Sequence, residues 1–146
     1  MEVERKFKVK TMPDLNKYPK KIIEQGYLNT DPVLRVRQED DHYYMTYKSK
    51  GFIEREEYNL PLNKEAYEHL IQKADGIVIS KERYLIPYQK FTIELDVFKK
   101  DLDGLVIAEV EFETLDEANA FNPPEWFGED VTSDPAYSNS NLSKRK

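Results

Sequence analysis

The chain of 146 residues contains no cysteine, so disulfides, thiolate metal sites and cysteine nucleophiles are excluded. Only two histidines are present. His42 falls in a polar hairpin turn and His69 on a helix, and neither has a triad partner, which rejects histidine-based nucleophilic catalysis. Five glycines are too few and too scattered for a phosphate-cradling loop, so any phosphate must be bound by side chains. No apolar run approaches membrane-spanning length, and no apolar signal region is seen at the N-terminus; a cytoplasmic protein without membrane contact is expected. A basic excess is also missing. The net charge is −6, which argues against a general nucleic-acid binder.

What the sequence has in quantity is charge arranged with period two. Glu2-x-Glu4-x-Lys6, Arg35-x-Arg37, Arg55-x-Glu57, Lys81-x-Arg83, Glu94-x-Asp96 and Glu109-x-Glu111 each put like-facing side chains on a strand, with Lys48 as a single member. Apolar residues often stand between them: Val3, Val36, Leu95 and Val110. The bland reading of each pair is a wet strand face. Sorted by segment, however, they make a basic set (Lys6, Arg35, Arg37, Lys48, Lys81, Arg83) that nearly cancels an acidic one (Glu2, Glu4, Glu57, Glu94, Asp96, Glu109, Glu111). Two cations about 6 Å apart repel by roughly 3 kcal/mol at an effective dielectric near 20, so a lining of one sign would be hard to fold. Mixed linings suit a polyanion bound together with cations. Arginine forks match phosphate oxygens, and carboxylates are hard ligands for Mg²⁺ or Mn²⁺.

Turn signals and β-rich composition predict a mainly β protein with a few helices, forming one domain over residues 1–146. Strands are expected over Glu2–Lys10, Lys21–Leu28, Val33–Gln38, Tyr43–Lys48, Ile53–Leu60, Ile77–Ile86, Phe91–Phe98 and Leu105–Phe112. One turn of helix is expected around Pro13–Leu15. Asn63 caps a helix over Lys64–Lys73 that Gly76 ends, and Leu115–Phe121 forms a short second helix. The tail after Pro123-Pro124 reads as turns, with Trp126 and Phe127 packing at a barrel mouth. About eight antiparallel strands can close into a barrel with room for a small ligand; an open sandwich is the alternative.

These motifs, in this order, resemble the CYTH superfamily of triphosphate tunnel metalloenzymes. Its N-terminal E-x-E-x-K signature appears as Glu2-Val3-Glu4-Arg5-Lys6. Gln25-Gly26-Tyr27-Leu28, Leu34-Arg35-Val36-Arg37, Lys48, Lys81-Glu82-Arg83-Tyr84, Glu94-Leu95-Asp96 and Ala108-Glu109-Val110-Glu111 follow. The tail, Pro124-Glu125-Trp126-Phe127-Gly128 and Asp134-Pro135-Ala136-Tyr137-Ser138-Asn139, is similar to that of short bacterial members. The resemblance implies an eight-stranded antiparallel barrel enclosing a tunnel, with Mg²⁺ or Mn²⁺ as cofactor and a triphosphate-containing small molecule as ligand. It implies that Lys6, Arg35, Arg37, Lys48, Arg55, Lys81 and Arg83 grip the phosphates. Glu2, Glu4, Glu109 and Glu111 would be metal ligands, with Glu94 and Asp96 as further ligands or holders of the arginines. Glu57 would activate or position water, and Tyr27 would orient Lys81 or a metal-bound water.

Hydrolysis of inorganic tripolyphosphate is the leading expectation. Cyclisation of ATP as in class IV adenylyl cyclases, thiamine triphosphate hydrolysis, and non-catalytic binding of polyphosphate or nucleotide are the alternatives. A homodimer is compatible with the resemblance.

Overall fold

The computed structural model describes residues 2–144. Its strands are β1 (Glu2–Val9), β2 (Lys20–Thr30), β3 (Val33–Glu39), β4 (His42–Lys48), β5 (Glu54–Arg55), β6 (Glu57–Leu62), β7 (Asp75–Tyr88), β8 (Phe91–Lys99), β9 (Val106–Phe112) and β10 (Phe127–Asp130). The helices are α1 (Lys64–Ile71), α2 (Leu115–Ala120) and α3 (Asn139–Leu142). Eight strands have six residues or more, in line with the expected count; β5 and β10 are short additions. All pairings are antiparallel, in the order β10-β1-β9-β8-β7-β2-β3-β4-β6. Two-residue loops join β3 to β4 and β7 to β8, each opening on a residue at positive φ, Asp40 (54°) and Gln89 (55°).

The sheet does not close into a continuous barrel; its edges approach each other at a narrow seam. Only Glu56 separates β5 from β6, and β5 pairs with β1 through Glu2–Arg55 and Val3–Glu54. The remainder of β6 pairs with β4 alone among the described residues. The sheet therefore curls into a tunnel whose two edges meet over a two-residue ladder.

The main apolar core lies outside this curl. Val3, Phe7, Ile93, Leu95, Ala108, Val110 and Phe112 point away from the lumen on alternate positions of β1, β8 and β9. They are covered by Ala118 of α2, by Phe121 and by Phe127 of β10. The Phe121 ring packs on Phe7, Tyr88, Phe91, Phe112 and Phe127. Burial of one such ring is worth about 2–3 kcal/mol. Trp126 stacks edge-on to Phe127 at 4.7 Å, which accounts for it as packing. On the opposite wall, α1 lies against β2, β3 and β4 with Tyr67 buried. A β-carbon at Gly26 would stand 2.7 Å from the Ala74 side chain, so glycine is what lets the end of this helical segment sit on β2.

Inside, one end of the tunnel is plugged by a second apolar cluster of Tyr27, Val33, Ile79, Phe98, Leu102, Ile107 and Leu142. Gly76 has a different job from the expected helix stop. α1 ends at Ile71, whereas Gly76 opens β7 at φ 76° with the Ser143 carbonyl lying where a side chain would be. That close approach anchors the α3 segment to the plugged end, and Ile77 N–H donates to Ser143 O at 2.7 Å. Neither α3 nor β10 was expected from the tail. No helix among the described residues is long and apolar enough to cross a membrane.

Candidate active site

Strand register decides which charged residues meet. Residues directly opposite in an antiparallel pair share a face. Around the curl Glu2 faces Arg55, Glu4 faces Glu111, Lys6 and Glu94 both face Glu109, and Arg83 faces Asp96. On the far wall Arg37 faces Gln25 and Tyr44, Arg35 faces Tyr27 and Thr46, and Lys48 faces Glu57. Lys81 lies two positions from Arg83 on that face. Every site residue expected from the sequence thus lines one lumen. Glu2, Glu4, Lys6, Arg35, Arg37, Lys48, Lys81, Arg83, Asp96 and Glu109 are all buried there.

The bases are not equivalent. Asp96 accepts from Lys81 Nζ at 2.7 Å and from Arg83 Nε and Nη2 at 2.7 and 2.9 Å. Arg83 also reaches Glu109 at 3.0 Å and Glu94 at 3.3 Å. Lys48 sits between Glu2 at 3.0 Å and Glu57 at 3.3 Å, and Arg55 between Glu2 at 3.0 Å and Glu4 at 3.7 Å. Lys6 lies 3.7 Å from Glu109 and 3.9 Å from Glu4. Arg37 donates to Gln25 at 2.7 Å and Tyr44 at 3.3 Å, with Glu39 at 3.7 Å.

Arg35 is the exception. It is 4% exposed and donates to Thr46 Oγ1 at 3.1 Å, while its buried Nε has no partner and no carboxylate among the described residues pairs with it. Burial, then the neighbouring charge of Arg37, pushes its pKa down. A buried cation without an anion is costly unless something else brings the anion.

The carboxylates divide as sharply. Oxygens of Glu2, Glu4 and Glu111 lie within 4.8 Å of one another. Burial and the charge of Glu109 raise the Glu4 pKa. Glu111 stands at the solvent end of the cluster, where desolvation of its carboxyl and the charges of Glu94, Glu2 and Glu4 push its pKa up to about 7. Three crowded carboxylates, two of them (Glu4 and Glu111) with raised pKa values, are an oxygen-donor set suited to a hard divalent cation. Glu109 is placed otherwise. Lys6 and Arg83 outweigh its desolvation and hold its pKa far down. Asp96 is likewise lowered by Arg83 and Lys81 against its burial.

Lys81 is the most deeply buried base among the described residues, and desolvation brings its pKa down to about 8 despite Asp96. Its ammonium is bonded to Asp96 rather than to Tyr27, which packs in the apolar plug. The cavity among these groups is about 40 Å³ and is lined by Glu2, Glu4, Arg35, Arg37, Lys48, Glu57, Arg83, Glu109, Glu111 and Asn139. No aromatic or aliphatic side chain among the described residues lines it. Four polar residues at the site were given no role from sequence: Gln25, Thr46, Asn59 and Asn139. Gln25 and Thr46 hold the two arginines, and Thr46 donates to Asn59 at 2.6 Å. Gln25, Thr46 and Asn59 follow strand parity, so spacing could have found them. Asn139 reaches the cavity from the tail, where no periodic signal exists.

Known proteins are similar to this chain over nearly its whole length. The family model for the CYTH domain matches residues 1–145. An inorganic triphosphatase of Nitrosomonas europaea is 44% identical over 150 residues, covering 97% of this chain and 96% of its own length. One from Acetivibrio thermocellus is 39% identical, covering 98% of this chain and 93% of its own. A crystal structure of an inorganic triphosphatase aligns with a TM-score of 0.74 and 39% identity, covering 100% of this chain and 96% of that one.

Proposed function

The chain belongs to the CYTH domain family, and from that premise we propose that it is a divalent-cation-dependent triphosphatase hydrolysing inorganic tripolyphosphate within its tunnel. The observation that carries the reading is Arg35, a buried guanidinium lacking an anion in a cavity with wholly polar walls. A phosphate oxygen supplies the missing acceptor. The polar walls also favour an inorganic chain over a nucleoside or thiamine ester, whose rings would need apolar contact.

Roles follow from partners. Arg35, Arg37, Lys48, Arg55, Lys6 and Arg83 grip phosphate oxygens, with Lys81 completing the cationic wall behind Arg83. Glu2, Glu4 and Glu111 would hold Mg²⁺ or Mn²⁺, which when bound neutralises phosphate charge. Glu109 and Asp96 fix the bases in place, and Tyr27, opposite Arg35 across the strands, belongs to the apolar plug below the cavity. Glu57 has its pKa lowered because Lys48 outweighs its burial, so it stays ionised and orients a water better than it retains a proton. Attack of that water on a terminal phosphorus breaks the bond to the bridging oxygen and releases phosphate and diphosphate.

Phosphate release from tripolyphosphate, ATP and thiamine triphosphate, with Mg²⁺ or Mn²⁺, tests this reading. Tripolyphosphate is expected to be the best substrate. Glu4→Gln and Glu111→Gln are each expected to slow release about a hundredfold, or ~2.7 kcal/mol, without loss of folding. Cyclic AMP as the main product from ATP, or binding without turnover under either metal, overturns it.

A further inference from the structure

Unsatisfied polarity in the lumen is sorted by wall. Among the described residues three buried side-chain atoms lack a hydrogen-bond partner. Gln25 Nε2 and Arg35 Nε are donors on β2 and β3, whereas Glu94 Oε1 is an acceptor on β8. Partners divide in the same way. Lys81 and Arg83 donate to Asp96, Lys48 and Arg55 to Glu2, and Lys6 lies near Glu109. The two arginines of β3 are held by neutral groups instead: Arg35 by Thr46 at 3.1 Å, and Arg37 by Gln25 at 2.7 Å and Tyr44 at 3.3 Å. The carboxylate paired with Arg37, that of Glu39, stands at 3.7 Å and is shared with Lys21 at 3.3 Å.

Gln25 is wholly buried on β2, opposite Arg37 on β3 and Ile79 on β7. An arginine Nε–H only donates, so the amide oxygen must face it, and Nε2 is turned away with nothing to accept its hydrogens. Arg37 lines the site cavity and Gln25 does not, so the amide acts from behind the guanidinium. A carboxylate of the same shape would suit the empty protein better. It would give a buried cation its anion and remove an unsatisfied donor. The amide suits a protein that has to keep that cation free for an anionic ligand.

We propose that Gln25 is a positioning residue whose neutrality is its function: it aims the Arg37 fork at the phosphate chain and leaves the charge of that fork to the ligand. The proposal rests on the triphosphatase reading. Holding and neutralising are separate effects of a buried partner, and an amide supplies the first without the second.

The test is equilibrium binding of tripolyphosphate to the metal-free protein, read by titration calorimetry in Gln25→Glu and Gln25→Met. Gln25→Glu keeps the acceptor on Arg37 and adds one charge. It is expected to weaken binding about a hundredfold, the effect of a like charge roughly 6 Å from the ligand at an effective dielectric near 20. Gln25→Met removes the acceptor and adds no charge, and is expected to weaken binding about tenfold, through a guanidinium no longer held in aim. Under turnover the loss in Gln25→Glu is expected in KM rather than in kcat, because Arg37 grips the chain before and during reaction alike. The melting temperature of ligand-free Gln25→Glu is expected not to fall, which separates weak binding from misfolding. A residue that only braced the fold would give the reverse order, with Gln25→Glu binding normally and Gln25→Met worse. That order overturns the proposal, and so does a lowered melting temperature in Gln25→Glu. A protein that binds tripolyphosphate without hydrolysing it sinks the hydrolase reading, while the order of the two variants still decides the role of Gln25.

Discussion

Arg35→Met is expected to lower kcat/KM for tripolyphosphate about a thousandfold while making the empty protein more stable. The first effect follows from removing a buried, charged donor from a polyanion, which costs about 2–5 kcal/mol; a thousandfold is ~4 kcal/mol. The second follows from what Arg35 lacks. Its guanidinium is buried, and among the described residues its only hydrogen bond is to Thr46 and no carboxylate pairs with it. Methionine fills similar space without a charge to desolvate, so a gain of about 1–2 kcal/mol in stability is expected. Thr46 keeps its bond to Asn59 in the variant.

Thermal unfolding with and without ligand reads both effects at once. Tripolyphosphate at a hundred times its Kd should stabilise the unaltered protein by about 2.7 kcal/mol and should leave the variant unmoved at the same concentration. A variant that binds normally, or one that unfolds at lower temperature, would show that Arg35 serves the fold instead. Loss of function with gain of stability is the mark of a residue kept for a ligand.

The lumen was legible in the sequence because strands alternate strictly. Glu2-x-Glu4-x-Lys6, Arg35-x-Arg37 and Glu109-x-Glu111 could point only one way once their intervening Val3, Val36 and Val110 were buried. The division of labour within each pair was not legible, because it depends on cross-strand register. Glu109 and Glu111 look alike in sequence, yet Glu109 faces Lys6 and Glu111 faces Glu4. One becomes a partner of bases and the other a member of a carboxylate cluster. Arg35 and Arg37 part in the same manner, since Gln25 and Glu39 serve Arg37 while Arg35 is left with Thr46. The tail hid α3 and β10 for a different reason. Both are four residues long, too short for a periodic signal, and are held by long-range contacts such as Gly76 against Ser143.

Asp96→Asn should have the opposite signature to Arg35→Met and the largest cost in stability. Asp96 is fully buried and its carboxylate takes three hydrogen bonds from Lys81 and Arg83. Asparagine keeps the shape but leaves two buried cations with one carboxylate fewer, a loss of about 3–5 kcal/mol by the measure of broken buried pairs. Arg83 still has Glu94 and Glu109, so Lys81 is the group left exposed to the change. Its folded-state pKa, already brought down to about 8 by desolvation, falls further when Asp96 no longer opposes that shift.

A base whose folded pKa lies below its unfolded value of about 10.4 penalises folding fully at low pH, and the penalty lifts as pH rises through the folded pKa. The variant's Lys81 sheds its proton below pH 8, while in the unaltered protein it stays charged to about that pH. The stability gap between the two proteins should therefore be widest near pH 5.5 and narrower at pH 8.5. Denaturant midpoints at the two values would read it. A gap that is flat or widens with pH would mean that Lys81 is not the stranded charge, and that Arg83 alone carries the cost.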